Sequence, residues 1–152
     1  MASQELYGEL AGQLRAIPAV ARELSRSCPA NCPPASLGVL AVVSRHGELR
    51  MSRLAELLDI DMSVTSRHVA HLAERGWIDR LPDPHDRRSR LLRLTPGGTD
   101  MLRAALDGVT ASLADHLRDW SDQDVMELCR LLERLRTAFT ADCRPRTQTI
   151  TM

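Results

Sequence analysis

The chain has 152 residues, 43% of them hydrophobic, and its twenty basic and twenty acidic residues leave a formal net charge of zero. That is enough apolar material for one domain with a real core, and the charge balance excludes a general polyanion binder while leaving room for a local basic field. The longest apolar run, LGVLAVV at 37–43, is far too short to span a bilayer, and MASQELYGEL shows no basic stretch followed by an apolar one, so a soluble, cytoplasmic protein without membrane contacts is expected.

Leu6, Leu10, Leu14, Ile17, Ala21 and Leu24 recur in steps of three and four, which predicts a first helix over residues 5–25. Pro18 lies inside this stripe and predicts a kink or a break. SCPANCPP at 27–34 stops the helix, and a buried second helix follows from Ala35 to about Arg45, ended by Gly47. Two short helices come next, 51–60 with Leu54, Leu57 and Leu58 on one face, and 61–76 opened by Asp61 and closed by Gly76. After Gly76 the period turns strand-like: WIDRL at 77–81 and RLLRL at 90–94, separated by PDPHDRRS, predict a β-hairpin with a long tip. Thr95-Pro96 is an N-cap with proline at the first helical position, opening a helix to about Asp119 that carries Leu102, Leu106, Val109, Leu113 and Leu117. Ser121 and Asp124 form a capping-box variant at the start of a last helix to about Thr140.

The order divides the chain into an N-terminal helix with its connector (1–34), a compact helix-turn-helix and hairpin region (35–96), C-terminal helices (97–141) and a polar tail (142–152) expected to be flexible. The fold class is mainly α.

At 100° per residue, Met62, Thr65, Val69, Leu72 and Ala73 fall on one side of the 61–76 helix and are assigned to the core. The other side carries Ser63, Val64, Arg67, His68 and His71, with Ser66 at the boundary: hydroxyls, a guanidinium and imidazoles able to meet base edges and phosphates in a DNA major groove. The hairpin adds Arg87, Arg88 and Arg90 beside a single acid, Asp86. Arginines on a protruding loop suit phosphates or a narrow minor groove, and Asp86 is expected to orient a neighbouring guanidinium. Double-stranded DNA is the partner these residues fit.

Residues 53–98, RLAELLDIDMSVTSRHVAHLAERGWIDRLPDPHDRRSRLLRLTPGG, resemble the winged helix-turn-helix of the MarR family of bacterial transcriptional regulators. The resemblance rests on the LAELL helix, the VxxLxERGxIxR end of the recognition helix and the wing signature DPxDRRSxxxxLTPxG. It implies a winged helix-turn-helix with a two-stranded β-hairpin wing, and a homodimer whose first, fifth and sixth helices interlock over a palindromic operator. It also implies a regulator, in most cases a repressor, released by a phenolic ligand, an oxidant or a metal. His68 and His71 depart from the family, where a leucine and a basic residue are commoner.

For the signal, the informative stretch is SCPANCPP. Cys28 and Cys32 lie four apart in the connector between a dimerisation helix and the DNA-binding region, where oxidation could alter domain spacing. Two inert packed thiols are the plain alternative. A metal or iron–sulfur cluster at Cys28 and Cys32 is a third, needing further ligands such as His46, His116 or thiols of a second subunit. Cys129, among Leu128, Leu131 and Leu132, is assigned to a core, and Cys143 to the tail. Only Tyr7, Trp77, Trp120 and Phe139 are aromatic, little material for a pocket around a flat ligand. No glycine-rich phosphate loop, nucleophile elbow or paired carboxylates mark an enzyme. A winged helix serving as a protein-interaction module would want apolar side chains at 63, 67 and 71, where Ser63, Arg67 and His71 stand.

Overall fold

The computed structural model describes residues 1–141, so the tail from residue 142, with Cys143, lies outside the described residues. The chain falls into two compact units, Met1–Asp115 and a second that begins at His116. Helix α1 (Gln4–Arg26) is capped by Ser3, whose hydroxyl accepts the Leu6 amide at 3.4 Å, and it runs unbroken through Pro18. None of its residues is buried.

Helix α2 (Pro34–His46) starts with proline at its first position and ends at Gly47, whose φ of 73° is the left-handed region that glycine enters without penalty. Strand β1 (Leu49–Arg50) and helices α3 (Met51–Leu58) and α4 (Met62–Glu74) follow. Asp59 closes α3 with a left-handed backbone, φ 52°, and the Ile60 amide returns to the Ala55 carbonyl at 3.2 Å. That pattern ends a helix in three residues and sets α4 across it. Asp61 occupies the N-cap position of α4, yet its side chain makes no capping bond; its carbonyl instead accepts the Thr65 amide at 2.9 Å and the Thr65 hydroxyl at 3.0 Å.

The wing departs from expectation. Strands β2 (Ile78–Asp83) and β3 (Asp86–Leu94) extend almost to the tip, joined by Pro84 and His85 alone, so the expected long loop is a long ribbon with a short turn. Pro82 fits because β2 is an edge strand in the order β1-β3-β2. The register runs from Ile78↔Leu94 to Pro82↔Arg90 and then jumps to Asp83↔Asp86, so Arg87, Arg88 and Ser89 bulge out of the ladder. The sheet also has a third strand: β1 pairs antiparallel with β3 at Leu49↔Leu92 and Arg50↔Leu91, adding to the two-stranded hairpin read from sequence.

One core serves α2, α3, α4, the sheet and the start of α5 (Pro96–His116), with Leu40, Leu54, Leu72 and Leu92 fully buried at its centre. Trp77 caps it at the junction of α4 and β2, with the Arg75 guanidinium 5.2 Å above its ring. Here Thr95 acts as the expected N-cap, its hydroxyl accepting the Gly98 amide at 3.0 Å and donating to the Gly76 carbonyl at 2.6 Å. Farther along α5, Gly108 lies so close to the connector that a Cβ would stand 2.2 Å from the Ser27 carbonyl oxygen.

In the second unit, α6 (Asp122–Ala141) opens with the expected reciprocal box, Asp124 accepting from the Ser121 amide at 2.9 Å and donating its own amide to the Ser121 hydroxyl at 3.2 Å. The Ser121 hydroxyl, donating to the same carboxylate at 2.7 Å, and then the Ser121 amide hold the Asp124 carboxyl below its ordinary range. Cys129, assigned to a core from sequence, is exposed on α6 with its leucine neighbours.

Gly98 is the most closely approached glycine among the described residues: a Cβ there would lie 2.0 Å from the Trp77 carbonyl oxygen. Gly98→Ala is expected to cost on the order of 1–3 kcal/mol or more, since backbone must move to admit the methyl. At neighbouring Gly97 a Cβ would find its nearest atom at an ordinary 3.7 Å, so Gly97→Ala should be neutral or stabilising by a few tenths of a kcal/mol. Urea unfolding of both variants checks the contrast, and equal midpoints would contradict it.

Candidate nucleic-acid interface

The arginines of the described residues are found in two different states. Several arginines are spent on neighbouring acids: Arg53 with Glu56 at 2.9 Å, Arg103 with Asp100 at 3.2 Å, and Arg93 with both Glu48 at 3.5 Å and Asp79 at 3.7 Å. Arg67 on α4 and Arg87, Arg88 and Arg90 on β3 are exposed and make no ion pair among the described residues. An exposed arginine without an acid keeps its full donor set for an outside anion.

On α4, Ser63, Ser66, Arg67 and His71 are exposed, while Thr65, Val69 and Leu72 are buried, as the helical period requires. Four positions differ from expectation, among them Val64, expected on the exposed face, and Ala73, expected in the core, which are both half-buried. His68 is half-buried on the flank beside the core stripe. Met62, assigned to the core, is 50% exposed, because as the first residue of the helix it has no preceding helical turn beside it. His71 is also engaged: the Arg75 Nε donates to its Nε2 at 3.1 Å.

In the wing, Asp86 accepts the Arg88 backbone amide at 2.9 Å. It shapes the bulged backbone and does not clamp a guanidinium, a correction to the role expected from sequence. The residue missed by sequence reasoning is Asp83, 5% exposed at the end of β2. Its carboxylate receives the His85 amide at 2.9 Å and the Arg50 Nε and Nη2 at 2.6 Å each. The His85 amide first, and then Arg50, hold its pKa below the ordinary carboxylate value. A carboxyl depressed on folding contributes stability above its unfolded pKa of about 3.9, and this is lost as pH falls through the lower folded value. The pair therefore stands throughout the neutral and mildly acidic range.

Cys28 and Cys32 are both free thiols. Cys32 is packed in the core, and burial, followed by the proximity of Cys28, pushes its pKa up; Cys28 is only half-buried. Among the described residues no three His, Cys, Asp or Glu side chains gather where they could hold a metal. An open groove of about 660 Å³ runs along α3 and the start of α4, with Ala55, Ile60, Met62 and Val64 in its lining and no aromatic residue. No helix among the described residues is long and apolar enough to cross a membrane.

A sequence model of the MarR family matches residues 31–89. The uncharacterized HTH-type transcriptional regulator YxaD of Bacillus subtilis is 31% identical over 80% of this chain and 85% of its own length. The HTH-type transcriptional repressor MdtR of the same organism is 28% identical over 72% of this chain and 70% of its own. Among solved structures, a mutant of MarR from E. coli complexed with operator DNA superposes with a TM-score of 0.68 at 24% identity, covering 86% of this chain and 97% of that one, which is a likeness of fold. With a relative above 30% identity aligned over most of both chains, and the winged helix-turn-helix present, the chain belongs to the MarR family of transcriptional regulators, DNA-binding proteins that are not enzymes.

Proposed function

We propose that this chain is a homodimeric repressor that reads a palindromic operator with Ser63, Ser66, Arg67 and His71 in the major groove and Arg87, Arg88 and Arg90 at the flanking backbone or minor groove. The observation that carries this reading is placement: Arg67 and the three wing arginines, exposed and without an ion pair, stand on α4 and the adjoining wing, whereas the likewise exposed and unpaired Arg15, Arg22 and Arg45 are on α1 and α2. Half-buried His68 belongs at the edge of the contact surface. A protein laid across two successive major grooves excludes other proteins from that stretch, which supports repression.

Dimerisation is supported by apolar surface that the described chain leaves bare. Leu6, Leu10, Leu14, Ile17 and Val20 are exposed on α1, Leu106 and Leu113 on α5, and Met126, Leu131, Leu132 and Phe139 on α6. Exposed stripes of this length on three helices are what a second copy buries. The two-fold axis then sets two recognition helices about one helical turn of DNA apart.

The signal we assign to Cys28. Half exposed where Cys32 is buried with a raised pKa, Cys28 is the thiol an oxidant meets first. Its thiolate attacks a peroxide, taking one oxygen to form a sulfenic acid and releasing an alcohol or water. Cys32 then attacks that sulfur, and water leaves as the disulfide forms. Ser27, next to Cys28, is seated against Gly108 of α5, so a bond formed between Cys28 and Cys32 acts on a connector that touches that helix, which would couple oxidation to helix placement.

Sequences selected from random duplexes by the purified chain are expected to be palindromic and bound by a dimer in light scattering. Arg67→Ala should relax base preference at a cost of about 1–3 kcal/mol, whereas Arg88→Ala should weaken binding to all sequences and flatten the salt dependence by about one phosphate contact. A monomer, a preference for single strands, or equal losses on specific and random DNA for both variants would contradict the reading.

Mild peroxide should release the operator and reductant restore it, with Cys28→Ser and Cys32→Ser both insensitive and Cys129→Ser fully responsive. Unchanged operator affinity with Cys28 shown to be oxidised by mass spectrometry would dismiss the thiol signal and leave DNA binding standing.

A further inference from the structure

Asp83 is the only charged side chain buried among the described residues, and its two oxygens have separate tasks. Oδ1 accepts the His85 amide at 2.9 Å and so forms the turn at the tip of the wing. Oδ2 takes both Nε and Nη2 of Arg50, each at 2.6 Å. Arg50 belongs to another part of the fold: it pairs with Leu91 on β1 and holds the N-cap position of α3, whose amides its side chain does not cap. That side chain is committed instead to the far strand of the ribbon. Next to the tie, the β3 bulge carries Arg87 and Arg88.

A two-stranded ribbon fixed only at its base can swing and twist. DNA offers its grooves and phosphates at fixed spacing, so wing arginines help only if they stand at one place relative to the recognition helix. The Arg50–Asp83 tie fastens the tip of the wing to the start of α3, the helix that leads directly into α4. We propose that Arg50 is a positioning residue: through Asp83 it fixes the wing arginines against the recognition helix so that both engage one duplex. This rests on the DNA-binding reading above.

Arg50 is 45% exposed and could instead touch a phosphate itself, so the informative variant is Asp83→Asn. Removing a negative charge beside DNA raises affinity if electrostatics alone acts. Positioning demands the opposite sign. With the full chain and a duplex chosen by selection, fluorescence anisotropy at several salt concentrations should give Asp83→Asn and Arg50→Ala losses of about tenfold each, with a salt slope shallower by about one per wing phosphate lost. The base preference read by α4 should be retained, and adding Arg88→Ala to Asp83→Asn should cost nothing more. Arg50→Lys keeps the charge but not the two-donor fork, and should recover only part of the Arg50→Ala loss. In the free protein, amide exchange at His85–Arg88 should quicken in Asp83→Asn.

Binding by Asp83→Asn as tight as wild type or tighter, full rescue by Arg50→Lys, or loss of base preference together with wing contacts would each overturn the inference. Should Asp83→Asn not fold, the comparison of Arg50→Ala with Arg50→Lys decides it. A wild-type chain that binds no duplex at all would instead remove the regulator reading, and this inference with it.

Discussion

The architecture depends on how closely α5 approaches the end of α4. Trp77 is buried where the recognition helix becomes the wing, and Gly98 lies against its carbonyl at a distance no side chain could share. The Thr95 hydroxyl, donating to Gly76 and accepting from Gly98, binds the end of α4, the return of β3 and the start of α5 into one joint. Recognition helix, wing and first C-terminal helix therefore hold a fixed geometry. That makes exposed groups on α4 and β3 usable as one surface, because a binding site pre-set on rigid elements spends little of its interaction energy on ordering.

Around the joint, the sequence sorts its arginines by neighbour. Arg93 faces Glu48 and Asp79 across the sheet, Arg75 lies over Trp77, and Arg50 locks onto Asp83. Those interactions build the wing and its base. Arg67, Arg87, Arg88 and Arg90 are given no acid, as are Arg15, Arg22 and Arg45 on α1 and α2 and Arg80 on β2, so a chain of zero net charge still carries uncompensated positive charge where α4 and the wing are exposed. Net charge is blind to such sorting; local pairing reveals it.

Much of this was legible in the sequence, and the remainder failed for identifiable reasons. Helix stripes and their stops at Gly47 and Gly76 could be read because period, cap and left-handed glycine are local signals. The same holds for Thr95-Pro96 and Ser121–Asp124. Strand β1 was invisible, since two residues carry no period and its pairing to β3 is long-range. The wing strands were cut short because Pro82 and Pro84 read as loop, whereas an edge strand admits proline and the Asp83 carboxylate makes a two-residue turn possible. Asp83 drew no notice because its partner, Arg50, is 33 residues away and a buried ion pair leaves no spacing motif. At Met62 the helical wheel gave the right angle, but an angle does not say whether a neighbouring turn covers the first residue of a helix.

In the reading proposed above, one rigid unit presents α4 and the wing together to duplex DNA, twice over in a dimer. Hydroxyl-radical footprinting on a selected duplex tests it most directly, because it reports which backbone sugars are covered on each strand. Two blocks of protection related by the operator's symmetry are expected, about one helical turn apart on one face of the duplex, each with an outer patch that vanishes in Arg88→Ala while the inner one persists. A single uninterrupted block, protection on all faces, or inner and outer patches lost together in Arg88→Ala would contradict it.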